Sequence, residues 1–233
     1  MKNNKSIIAV IPIKLKSDRI SSKNFREFVK GKSLTDLLIA KLNRSKLISK
    51  IYISSNAIEY KNYFEDIGCE FIERDDKYCN NDLSWSDVIY EVISSIPVDD
   101  GVDIGWCHTT SPLFDNYDRA IKEYHKSILN NNFNGLITVS ESSDFIITEK
   151  NQPLNYSWGP WHKYSQSLDK VYKITGALFI AKKGEMLKNR YVISTNPKLY
   201  EVAPIEAIDV DTSFDFELAK ILYKNKSELI NVE

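Results

Sequence analysis

Two short stretches of this sequence carry residue types that could do chemistry together. The first, residues 14–24 (KLKSDRISSKN), holds Lys14, Lys16, Arg19 and Lys23 within ten residues, interleaved with Ser17, Ser21, Ser22 and Asn24. It follows the apolar run IIAVIPI at residues 7–13. Cations and hydroxyls gathered where a strand ends make a cradle for phosphate; the competing reading is a solvated basic loop. The second stretch is EAIDVDTSFD, residues 206–215, with Asp209 and Asp211 two apart. On an extended strand both point to one side, and two converging carboxylates suit a hard cation such as Mg²⁺ with phosphate oxygens completing its shell. Here too there is a structural alternative. Thr212 and Asp215 resemble a capping box with Asp in place of Glu, and Asp211 would favour the positive end of the helix that follows. Taken together, the two stretches suit a nucleoside triphosphate held by lysines on one side and by a metal on the other.

Something must bring residues nearly two hundred positions apart to one place. The run at 7–13 reads as a buried strand, and further strands are expected at 51–55, 69–72, 102–106, 135–140 and 173–182. Between them the pattern predicts helices over 34–44, 57–66 and 115–130, and a last helix from Phe214. Trp85, Val88, Ile89, Val92, Ile93 and Ile96 fall at helical spacing, with Ser84 as the expected N-cap. The segment LYEVAPIEAIDVD, residues 199–211, supplies an apolar run expected of a strand leading to the acidic pair. Strands alternating with helices predict an open, mostly parallel α/β sheet, whose ligands sit beyond the carboxyl ends of its strands.

Residues 141–172 break the rhythm, with Phe145, Tyr156, Trp158, Trp161 and Tyr164 in a polar, loop-like stretch. A covering lobe or dimer arm on one domain spanning 1–233 is one reading, and a packed irregular excursion is the other. A homodimer is expected from the first.

The composition narrows the field further. Among 233 residues, 31 Lys and Arg balance 32 Asp and Glu, which argues against a nucleic-acid-coating protein. The apolar run at 7–13 is far short of the roughly 20 residues that span a bilayer, and no signal-peptide cleavage site follows it. Three cysteines, Cys69, Cys79 and Cys107, without CxxC spacing, form neither a disulfide framework nor a zinc knuckle. A soluble cytoplasmic protein is expected, with no nucleic-acid or membrane partner.

Beyond these readings, the chain resembles the acylneuraminate cytidylyltransferase family, which makes CMP-sialic acids, and its relatives that make CMP-Kdo. IPIKLKSDRISSKN resembles the family's IPARGGSKRIPGKN: Pro12, Ser17, Arg19, Ile20, Lys23 and Asn24 stand as in the motif, and Lys14 replaces its arginine. IYISSN resembles VVVSTD, with Asn56 at the aspartate position, and Arg74 and Asp82 match the arginine and aspartate of the next segment. HTTSPLF is similar to QPTSPLR, ITGALFI to NGAIYI, and IDVDTSFDFELA to IDIDTPEDFELA. The segments keep the family's order over nearly the whole chain.

The resemblance implies a Rossmann-like, three-layer nucleotide-diphospho-sugar transferase fold with an inserted dimerisation lobe at about 141–172. It implies CTP, a Mg²⁺ ion and transfer of CMP to an acidic sugar (sialic-acid-like, another nonulosonate, or Kdo-like) with release of pyrophosphate, for surface polysaccharide. Lys14, Ser17, Arg19 and Lys23 would surround the triphosphate, Asn24 would shape the loop, and Arg74 and His108 would lie by the nucleoside. Asp209 and Asp211 would hold the metal; Lys14, Arg19, Lys23 and Asp211 would be the catalytic set. The departures are specific. Leu15 and Lys16 replace two loop glycines, Ser21-Ser22 replaces Pro-Gly, and His108 replaces a glutamine. No lysine matches the one that follows the GLITVS-like strand in the sialic-acid enzymes. A scaffold protein that kept the fold without turnover, and a nucleotidyltransferase for another base, stay open as alternatives. His125 and His162 are read as surface or structural residues.

Overall fold

The computed structural model describes residues 6–17 and 19–229. The strand predicted at the start is β1, Ile7–Pro12, and its alternation shows why it must be central. Ile7, Ala9 and Ile11 point into one apolar cluster, while Ile8 and Val10 point into another. A strand buried on both faces reads as a continuous apolar run. The first cluster is closed by helices α1 (Leu34–Arg44), α2 (Lys61–Asp66) and α4 (Tyr117–Asn131). The second is closed by α3 (Trp85–Ser94) and α5 (Lys183–Asn189). The result is three layers, with a seven-stranded sheet in the middle.

The remaining sheet strands are β4 (Ile48–Ser55), β5 (Glu70–Glu73), β6 (Asp103–Trp106), β7 (Gly135–Ser142), β8 (Val171–Lys182) and β9 (Pro197–Glu201). Their spatial order is β5-β4-β1-β6-β8-β7-β9, and every neighbouring pair is parallel except those that involve β8. The chain leaves β1 towards β4 and later returns to β1's other side as β6. That reversal opens a crevice at the carboxyl ends of these strands. Outside the sheet, β2 (Glu27–Val29) and β3 (Lys32–Ser33) form a hairpin. Its turn places Lys30 and Gly31 at φ of 49° and 71°, as a two-residue hairpin turn requires. This ribbon packs with α6 (Ser213–Leu229) through Phe28 and Phe216, rings edge to face at 5.3 Å.

Three expectations are corrected. The strand expected over 199–211 ends at Glu201; a short 3₁₀ turn at Pro204–Ala207 follows, and Asp209 and Asp211 lie on non-strand backbone. Proline at the start of that turn lacks the N–H that a strand ladder needs. Trp85 shares the apolar spacing of α3, yet it is half-exposed: it is the first residue of the helix, and its ring meets Trp106 edge-on at 6.1 Å and lies 6.5 Å from His108. In the stretch between β7 and β8, Tyr156 is not exposed like its neighbours. It packs edge-on against Phe145 at 5.2 Å, and Phe145 stacks on His162 at 5.0 Å.

Candidate active site

The first loop owes its shape to side chains that grip its backbone. The Asn24 amide donates to the Lys14 carbonyl at 3.1 Å and accepts from Thr109 Oγ1 at 2.8 Å. Asn56 Oδ1 accepts from the Leu15 N–H at 2.9 Å, and Arg74 donates to the Ile13 carbonyl at 2.5 Å. Asn24 thus ties the loop backbone to Thr109, beyond the end of β6. Ser22 carries a φ of 50°, at the position where the resembling motif has glycine. The left-handed backbone that glycine favours is kept here at the cost of about 1–2 kcal/mol. Neither Leu15 nor Lys16 sits at positive φ, so that part of the loop does not require glycine conformations.

All nine residues singled out from the sequence line one cleft of about 700 Å³ at the carboxyl ends of β1, β4, β5 and β6: Lys14, Ser17, Arg19, Lys23, Asn24, Arg74, His108, Asp209 and Asp211. Lys14 reaches towards Asn81, Nζ to Oδ1 at 3.5 Å. Arg19 forms an ion pair with Asp211 at 2.8 Å. Arg19 is exposed and Asp211 partly so, and such pairs rearrange at little cost. Lys23 is different. Its ammonium is buried, donates to the Val210 carbonyl at 2.8 Å and stands 3.8 Å from Asp211. Burial lowers its pKa, opposed by the Asp211 charge and reinforced by Arg19.

The acidic pair converges on the cleft although no strand carries it there. The helix cap belongs to neither of its members: Asp215 Oδ2 accepts from the Thr212 N–H at 2.7 Å, and the Asp215 N–H donates to Thr212 Oγ1 at 3.2 Å. The capping box is therefore Thr212 with Asp215, and Asp211 is free to face Arg19. One oxygen of Asp209, Oδ1, is buried with no hydrogen-bond partner. Burial and the neighbouring Asp211 raise the Asp209 pKa, against the pull of a Thr110 hydrogen bond and of Lys23. An orphaned carboxylate oxygen beside a second carboxylate is a donor set that fits a hard cation. Among the described residues no group of three or more His, Cys, Asp or Glu forms a metal cage. Two carboxylates would leave room for waters and phosphate oxygens in the shell of such an ion.

The cleft is also lined by residues the motif reading missed: Tyr78, Cys79, Asn80, Asn81, Leu83 and Trp85. All but Trp85, which begins α3, lie on the loop after β5, and the rule that ligands sit beyond the carboxyl ends of parallel strands was the available signal. Arg74 is buried beneath this loop and donates to Cys79 Sγ at 3.0 Å, so it ties the loop to the end of β1. His108 has its pKa pushed down to about 4, chiefly by burial and then by Lys23, and it is neutral at pH 7.

The chain as a whole has known counterparts. The profile of the cytidylyltransferase family matches residues 8–175. The chain is similar to the pseudaminic acid cytidylyltransferase of Campylobacter jejuni, 25% identical over 229 residues that cover 95% of this chain and 97% of that one. It is 24% identical to the N-acylneuraminate cytidylyltransferase of Escherichia coli O18:K1:H7 over 95% of this chain and 53% of that one. Among solved structures, a CMP-2-keto-3-deoxy-manno-octonic acid synthetase complexed with CTP superposes with a TM-score of 0.66 at 15% identity, covering 95% of this chain and all of that one. A 4-diphosphocytidyl-2C-methyl-D-erythritol synthase from Anaerococcus prevotii gives 0.63 at 13% identity, over 95% and 97% of the two chains. At such identities these two likenesses speak for the fold. The profile spans well over half of the sequence, from β1 into β8, and takes in both the phosphate-type loop and the loop after β5: the chain belongs to the cytidylyltransferase family and is a CTP-dependent nucleotidyltransferase.

Proposed function

We propose that this protein transfers CMP from CTP to a 2-keto acid sugar of the sialic or pseudaminic acid kind and releases pyrophosphate, in the cytoplasm, for surface polysaccharide. The convergence of Lys14, Arg19 and Lys23 with Asp209 and Asp211 in one cleft carries the reading of the nucleotide end. The names of the relatives support the acceptor, one of them matched over nearly its whole length and the other over about half of it. In the reaction the acceptor hydroxyl oxygen gives up its proton to solvent and bonds to the α-phosphorus, the bond from that phosphorus to the bridging oxygen breaks, and pyrophosphate leaves with the electron pair. Chemistry of this kind asks the protein mainly for positioning and charge neutralisation. Lys14, Arg19 and Lys23 hold the phosphoryl oxygens, Asn24 keeps their loop in register, and Arg74 and His108 flank the nucleoside. Asp209 and Asp211 would hold Mg²⁺, which when bound adds charge neutralisation at the phosphates. In the free protein Arg19 pairs with Asp211, and the phosphates of a bound triphosphate would compete for that arginine. Among the described residues no helix is long and apolar enough to cross a membrane, and the three cysteines are free thiols, which suits a reducing compartment.

The test is pyrophosphate release over the four nucleoside triphosphates against a panel of 2-keto acid sugars. Release with CTP and a nonulosonate is expected. Release only with another nucleotide, or with no acid sugar, refutes the proposal.

The assembly we propose is a homodimer formed through the stretch between β7 and β8. Trp158, Trp161 and Tyr164 are 54%, 76% and 85% exposed there, beside exposed Ile147 and Leu154. Apolar aromatics gathered on one excursion mark an interaction surface. Sedimentation at micromolar concentration should show a dimer that Trp161→Ser with Tyr164→Ser dissociates. A wild-type monomer contradicts the assembly.

A further inference from the structure

Trp106 and His108 stand two residues apart at the end of β6, where the sheet meets the cleft. Trp106 is wholly buried, and its indole Nε1–H donates to His108 Nε2 at 2.7 Å. An indole nitrogen only donates, so the imidazole nitrogen it meets is the one without a proton. In a neutral ring the proton then resides on Nδ1. The ring has little freedom to turn away from this partner. A Cβ at Gly176 would lie 2.8 Å from Nδ1, so the absence of a side chain there admits the imidazole. Phe179 and Trp85 wall the ring at 5.8 and 6.5 Å between centroids.

We infer that Trp106 is a positioning residue for nucleotide selection: it holds His108 as the Nδ1–H tautomer, so that His108 offers the nucleobase one hydrogen-bond donor and no acceptor. This rests on the reading of His108 as a neighbour of the base. A glutamine amide in its place presents both a donor and an acceptor. The locked imidazole cannot accept from the exocyclic amino group of cytosine. It complements the acceptor edge of the pyrimidine, O2 or N3, and the amino group must be read by other atoms. Neutrality of the ring, held by burial and by Lys23, keeps this donor single across the physiological range.

The experiment combines ¹⁵N spectra of His108 with a double-mutant cycle on CTP binding. The wild type should show a protonated Nδ1 and a bare Nε2 without any nucleotide present. Trp106→Phe should lose that signature and raise KM for CTP by about 2- to 10-fold, the loss of one hydrogen bond, with kcat retained. In a His108→Phe background the same change should cost nothing further, because Trp106 then has no imidazole to hold. A wild-type proton on Nε2, or an equal cost of Trp106→Phe in both backgrounds, overturns the inference. In that case a weakened His108→Phe single variant would leave His108 beside the base. His108→Phe binding CTP like the wild type overturns both. The wild-type spectrum needs no variant, so it decides the tautomer even where Trp106→Phe does not fold.

Discussion

Asp209→Asn should lower turnover by about 10²-fold or more while leaving the melting temperature unchanged or higher. The two halves of that expectation come from one observation. Asp209 has a buried oxygen with no partner and a second carboxylate nearby, so folding works against its ionised form and raises its pKa. A folded-state pKa above the unfolded value means that the charge destabilises the fold at neutral pH. Asparagine keeps the shape and removes that strain. A structural carboxylate would behave in the opposite way, since its loss would cost stability and spare activity. Asp211→Asn should also lose turnover, because its carboxylate meets Arg19 and Lys23 rather than the helix end. The control is Thr212→Ala, which removes the real cap: about 1 kcal/mol of stability should go, with activity retained. Melting temperature and Mg²⁺-dependent turnover on all three variants check this. If Asp209→Asn and Asp211→Asn both stay active with ordinary magnesium dependence, the pair is structural.

Lys23→Met should weaken CTP binding by about 30- to 1000-fold, and the loss should persist at high salt. Removing one partner from a buried, hydrogen-bonded charge cluster costs about 2–4 kcal/mol. Lys23 has 10% of its side chain exposed and Arg19 has 63%, so salt screens them unequally. Arg19→Ala should therefore show a smaller defect, largest at low ionic strength and fading above physiological salt. Titration calorimetry of CTP at two salt concentrations separates the two. Unchanged affinity in both variants would return the loop to a solvated basic surface. In the sequence Lys23 and Arg19 are equivalent cations in one loop; only burial tells them apart.

What the sequence by itself determined were features with short-range causes. A continuous apolar run placed β1, the spacing from Trp85 placed α3, Ser84 and Thr212 marked helix starts, and the ordered motifs indicated the cytidylyltransferase fold. Each depends on neighbours within a few positions or on a pattern of residues kept in order along the chain. The tertiary structure decided what depends on distant partners. Pro204 ended the expected strand early, yet the backbone after it still turns both carboxylates into the cleft. Val210 captured Lys23 from 187 residues away, and Arg74 joined the loop after β5 to the end of β1. Trp85, in step with the apolar spacing of α3, became a cleft wall because the helix begins beside Trp106 and His108 at the end of β6. The protonated nitrogen of His108 was likewise out of reach of any motif. It is set by an indole N–H two residues away on the same strand end and by a glycine on the antiparallel β8, and only folding brings those three together.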